Sequence, residues 1–130
     1  MNRQQLEQYI YQTYHVKPDY PWKRSPKDAV FRHAENRKWF ALVMSVGRDK
    51  LGMPQTGQID IMNVKCDPAL IGSLLGESGF FPAYHMNKEN WVTTALDDSA
   101  SDEKIRMLLD MSYTATAGKI QSKRTGGENR

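Results

Sequence analysis

The sequence predicts an α+β fold: one antiparallel sheet of about four or more strands, with helices packed on one face. Three observations lead there. The hydrophobic periodicity runs helix, three strands, helix, strand, helix, which is not the strict alternation that builds a parallel sheet. The first two strands are separated by a short turn, too short for a crossover and suited to a hairpin. The 130 residues also bound a single core. One domain is therefore expected over residues 1–120, followed by a polar, glycine-rich tail, Gln121–Arg130, expected to be disordered.

Each element has its own signal. Leu6, Tyr9, Ile10, Thr13 and Tyr14 follow helical spacing, and Asn2 with Gln5 forms a capping-box pattern. Pro18 and Pro21 then force an extended connection. Ala29–Glu35 alternates as a strand, Asn36–Arg37 suits a turn, and Lys38–Val46 is a strand too apolar to face water on either side. Gly47–Gly57 is a loop longer than a tight hairpin needs. Gln58–Cys66 is a third strand. Asp67-Pro68 then opens a helix, with Asp as N-cap and Pro in the first turn. Its buried stripe is Leu70, Ile71, Leu74 and Leu75, and Gly76 or Gly79 is expected to end it. Trp91–Leu96 is a fourth strand. Ser101 caps a last helix whose inward stripe is Ile105, Leu108, Leu109, Ser112 and Tyr113, with Asp102 and Glu103 favourably placed against its dipole.

Composition narrows the function classes. No apolar run approaches the roughly 20 residues of a spanning helix, so no membrane association is expected. The start "MNRQQLEQ" lacks a signal-peptide pattern, and Cys66 is the only cysteine, so the expected compartment is the cytoplasm. Net charge is +3, with the positive excess in the first half, above all in Lys17–Trp39. A basic half of this kind attracts polyanions by long-range steering. His15, His33 and His85 are far apart and no metal-ligand spacing occurs, so no metal is expected. Neither GxGxxG nor a P-loop is present, and no cofactor is implied.

The stretch "PAYHMNKENWVTTALDD", Pro82–Asp98, is the hardest to explain by packing alone. His85 has the intrinsic pKa of a general acid or base, but no carboxylate is spaced to orient it. Pairing it with Cys66, Asp97 or Asp98 would make an enzyme. That reading ranks last, because no nucleophile, metal set or cofactor motif supports it, and Cys66 reads as a buried structural thiol beside an opposing Asp67. No catalytic residue is assigned. Asn87 and Asn90 suit turn positions, and Lys88 would project from the tip of that turn. The favoured reading is a polar corner of the fold, with Lys88 as its main contact.

The segments "YPWKRSPKDAVFRHAENRKWFALV", "VKCDPALIGSLL" and "YHMNKENWVTTALD" together resemble the MmcQ/YjbR family. The His-Met-Asn-Lys-x-x-Trp run is the most specific part. The resemblance implies a CyaY-like sandwich and a DNA-binding module with a double-wing arrangement. Frataxin-type iron handling does not carry over, because the first helix has Glu7 as its only carboxylate. The candidate nucleic-acid contacts are Arg32, Arg37, Lys38, Arg48, Lys50 and Lys88, carried on the hairpin, the Gly47–Gly57 loop and the later turn. With no Lys or Arg between Pro68 and Gly76, no recognition helix stands out, so DNA contact should be backbone-led and weakly sequence-specific. The alternative is a small-molecule or protein interaction domain whose pocket is lined by Trp22, Tyr84, His85, Asn87 and Trp91.

Overall fold

The computed structural model describes residues 1–118, so the expected tail lies outside the described residues. Helix α1 (Arg3–Tyr14) leads into strands β1 (Ala29–Arg32), β2 (Trp39–Gly47) and β3 (Gln58–Lys65). Helix α2 (Pro68–Leu74), strands β4 (Phe80–Pro82) and β5 (Trp91–Ala95) and helix α3 (Asp102–Thr116) follow. The five strands form one sheet in the order β1-β2-β3-β5-β4, with every pairing antiparallel. The α+β class is as expected.

Local signals set the helix starts. The Asn2 side chain accepts from the Gln5 amide at 2.8 Å, and the Gln5 side chain accepts from the Asn2 amide at 2.9 Å, a complete capping box. Asp67 accepts from the Ala69 amide at 2.9 Å with Pro68 beginning the turn. Ser101 accepts from the Lys104 amide at 3.1 Å, and Asp102 and Glu103 occupy the first turn of α3. The end of α2, for which the sequence offers Gly76 or Gly79, resolves differently from expectation. Helix α2 stops at Leu74 with Leu75 still right-handed, so neither Gly76 nor Gly79 is its left-handed cap. Gly79 has another task. At φ +90° its carbonyl accepts from the Ala95 amide at 2.9 Å and the Thr94 hydroxyl at 3.2 Å. A Cβ there would come within 2.7 Å of the Ala100 nitrogen.

Two strands also differ from expectation. β1 ends at Arg32 rather than Glu35, because the register slips between Phe31 and Arg32 and the chain then turns. In that turn the His33 amide donates to Lys38 O and the Arg37 amide donates to His33 O, with Arg37 left-handed at φ 62°. β4 has only three residues, too few for a periodic signal, and its Pro82 is tolerated because β4 is an edge strand.

Both faces of the sheet are covered, by different means. On one, α1 and α3 supply Leu6, Ile10, Ile105, Leu108 and Leu109, and α2 supplies Ile71 and Leu74. These pack against Phe31, Phe40, Val43, Met62, Val64 and Val92. On the other, Val30, Leu42, Met44, Ile59, Ile61 and Ala95 form a second cluster. Its partly buried cover is Trp39, Leu51, Met53, Phe81, Tyr84 and Met86, none of them from an α-helix. Loops, not helices, close that face.

Candidate functional site

The loop-covered face carries most of the residues with chemical interest, in two separate places. The first lies along β1. Asp19 forms an isolated antiparallel bridge with Val30, which extends the sheet edge by the segment before β1. That bridge brings Trp22 against Trp39, edge to face with centroids 5.7 Å apart. The Arg32 guanidinium lies 5.6 Å from the Trp39 ring. Arg32 and Arg37 share one carboxylate, Asp19, at 2.9 and 3.4 Å. One acid against two guanidiniums leaves the edge positive. Lys23, Arg24, Lys27 and Lys38 are exposed in the adjoining segments, as is Glu35. Tyr20 and Trp22 remain 52% and 37% exposed.

The second place is where the β2–β3 loop meets the β4–β5 turn. The loop is more ordered than its composition suggests. It contains a single 3-10 turn, Arg48–Leu51, ended by Gly52 at φ 75°. It is closed by the Arg48 amide donating to Gly57 O at 2.9 Å. Leu51 and Met53 pack down on the sheet. The β4–β5 turn is held from below. Asn63 and Thr93, both fully buried and paired across β3 and β5, hydrogen-bond to each other through Thr93 Oγ1 and Asn63 Oδ1. The Tyr84 amide donates to Thr93 Oγ1 at 2.9 Å, and Asn63 Nδ2 donates to Tyr84 O at 3.3 Å. Two interior polar side chains thus satisfy each other and the backbone of Tyr84, which is how such groups are tolerated inside.

The next residue, His85, is left-handed at φ 58°, a conformation costing a non-glycine residue about 1–2 kcal/mol. Its exposed ring stacks on Tyr84, centroids 3.9 Å apart and planes 19° from parallel. Asn87 closes the far side of the turn, accepting from the Glu89 amide at 2.8 Å through its side chain and from the Trp91 amide at 3.0 Å through its carbonyl. Between loop and turn opens a cavity of about 290 Å³, lined by Lys50, Leu51, Phe81, Pro82, Ala83, Tyr84, His85 and Lys88.

The expected site residues thus divide. Lys50 and Lys88 meet at this cavity with Tyr84 and His85. Arg32, Arg37 and Lys38 belong to the β1 edge, and Trp22 stands with them rather than with His85. The two connections that β2 joins, at residues 33–38 and 48–57, lie at opposite ends of a nine-residue strand, about 30 Å apart at the usual rise. Trp91 opens β5 beside Lys65 and does not line the cavity. Arg48 lies near Asp97: burial works to raise that carboxyl, and hydrogen bonds from Ser99, with the Arg48 charge, outweigh it and hold it below the usual range.

The remaining reactive groups have structural occupations. Cys66 is buried, and burial together with the Asp67 charge pushes its thiol up, away from nucleophilic readiness. Asp98 pairs with the N-terminal ammonium, which Asp102 also meets at 2.7 Å. His33 is 2% exposed, with Nε2 2.8 Å from Thr116 Oγ1, and burial pushes its imidazole below the usual range. The sequence offered no sign of that role; only the return of α3 across the sheet reveals it. Among the described residues, no three His, Cys, Asp or Glu side chains gather as a metal ion would need. Nor is any described helix long and apolar enough to cross a membrane.

Solved structures share this architecture. A crystal structure of a Pseudomonas syringae protein is 42% identical, with TM-score 0.88, covering 90% of this chain and 100% of that one. A solution structure from the same organism is 41% identical, with TM-score 0.83, covering 92% and 95%. A Deinococcus radiodurans protein at 22% identity and TM-score 0.69, covering 96% and 88%, shares the fold. In sequence, the uncharacterized protein YyaQ of Bacillus subtilis (strain 168) is 35% identical over 116 residues, 89% of this chain and 98% of that one. The YjbR family model matches residues 11–115, so the chain belongs to the YjbR family.

Proposed function

We propose that this chain is a nucleic-acid-binding module that takes DNA along the β1 edge, backbone-led and weakly sequence-specific. The observation that carries the reading is the assembly of exposed Tyr20 and Trp22, the Trp39–Arg32 pair, and Arg37 and Lys38 on one sheet edge. Cations that outnumber their single carboxylate partner attract phosphates, and each contact formed releases counterions. Exposed rings beside them stack on unpaired bases whatever the base, which favours single strands and little sequence preference. Lys50 and Lys88 lie at another site, so the contact surface is narrower than a pair of basic wings.

Fluorescence anisotropy of labelled single-stranded and duplex DNA, titrated at rising salt, tests the reading. Affinity should fall as salt rises, and single strands should bind at least as tightly as duplex of equal length. Trp22→Ala should weaken single-strand binding by about 1–3 kcal/mol. Lys38→Gln should reduce the salt slope by about one phosphate contact. Absence of binding at low salt, or affinity that ignores salt, sinks the reading.

A further inference from the structure

We infer that the cavity between the β2–β3 loop and the β4–β5 turn is a binding site for a small phosphomonoester carrying a planar ring. This goes beyond the DNA reading and does not rest on it, since no residue of the β1 edge lines the cavity. Charge comes first. Lys50 and Lys88 line the cavity from two separate segments, no acidic side chain lines it, and neither lysine has a carboxylate partner among the described residues. Two lysines without a carboxylate partner at one cavity match a phosphomonoester, which carries about −1.5 to −2 charges at neutral pH. Arg3, Arg32, Arg37 and Lys104, by contrast, each have a carboxylate partner.

Shape comes second. At about 290 Å³ the cavity sits at the small end of ligand pockets, which run from about 300 Å³ upward. A phosphoryl group and one ring fill such a space. Leu51, Phe81 and Pro82 give it an apolar wall, and the exposed His85 ring, already stacked on Tyr84, offers a flat surface for a second ring.

Preorganisation comes third. His85 is held left-handed next to a residue whose amide and carbonyl are both tied to the buried Asn63–Thr93 pair. Such strain clusters at sites that present a side chain to a ligand, though His15, Arg37 and Asp98 share the conformation elsewhere in this fold. Packing alone would be served as well by glycine at that position.

Calorimetric titration of the full chain with a nucleoside 5′-monophosphate, the parent nucleoside and inorganic phosphate tests the assignment. The monophosphate should bind, the nucleoside should not, and phosphate alone should bind more weakly. Lys50→Gln and Lys88→Gln should each lower affinity about tenfold, the usual worth of a charge-assisted contact. His85→Gly, which keeps the backbone conformation, should remove the advantage of the monophosphate over phosphate. Trp22→Ala should leave all three titrations unchanged. A 5′-phosphorylated oligonucleotide against its 5′-hydroxyl form tells whether the same phosphoryl chemistry also reaches the site from a strand end. Equal binding of nucleoside and monophosphate, retained affinity in the double lysine variant, or no heat with any probe at millimolar concentration overturns the assignment. None of these results bears on DNA binding at the β1 edge, which Trp22→Ala reports separately.

Discussion

The two faces of the sheet are both apolar but are closed by different kinds of structure. On the helix-covered face, regular elements bring long hydrophobic side chains in at fixed spacing, and the polar groups there serve packing: Ser112 donates to Phe40 O at 2.7 Å, and His33 is buried beside Phe40 and Tyr113. On the loop-covered face, the same strands meet irregular segments that contribute single residues, Leu51, Met53, Tyr84 and Met86, around the Asn63–Thr93 pair. The cavity lined by Lys50 and Lys88 lies among these irregular segments, although clefts of similar size also run along α1 and between α2 and α3.

Substitutions on each face test that contrast. The largest loss is expected from Phe40→Ala on the helix side, about 3–5 kcal/mol, since the ring is fully buried. Ile61→Ala on the loop side should cost about 2–4 kcal/mol in urea unfolding, because Ile61 is equally buried. A cost below about 1 kcal/mol would mean that the loops cover this face only loosely. Gly79→Ala should cost about 2–3 kcal/mol, combining a forbidden φ with overlap against the Ala100 backbone. Asn63→Ala should cost about 1–3 kcal/mol by orphaning its buried partners. Hydrogen exchange should show the added opening confined to the β4–β5 turn.

A smaller, pH-dependent effect belongs to the helix side. The unfolded His33 imidazole takes up a proton near the usual value of about 6.5, whereas burial holds the folded ring below it. Its contribution is therefore intact above about 6.5 and is lost as pH falls through the folded value. Thermal melts of the chain should decline between pH 7 and 5 more steeply than those of His33→Gln, and parallel slopes would assign the decline to other groups. His85→Gly should change stability least, and in the stabilising direction, because it relieves the left-handed strain on the other face.

The helix starts were legible because a cap is local: Asn2, Asp67 and Ser101 each act on backbone within three residues. The central strands were legible because β2 and β3 are long enough for their patterns to register. β4 was not, since three residues carry no period, and the end of β1 depended on a bulge that only its partner strand defines. Of the candidate site, residue types could be named but not their grouping. Trp22 lies 63 positions from His85, and nothing in the chain says that it packs on Trp39 instead.

The α+β class and the helix caps could be read along the chain, because hydrophobic period and capping act over a few residues, and the family could be read from its motif segments. Tertiary structure alone decided that Lys50 and Lys88 share a cavity, that Arg32 and Arg37 share Asp19, and that loops close one face. Such groupings depend on how the chain returns across the sheet, a long-range outcome of burying both faces at once that no local pattern encodes.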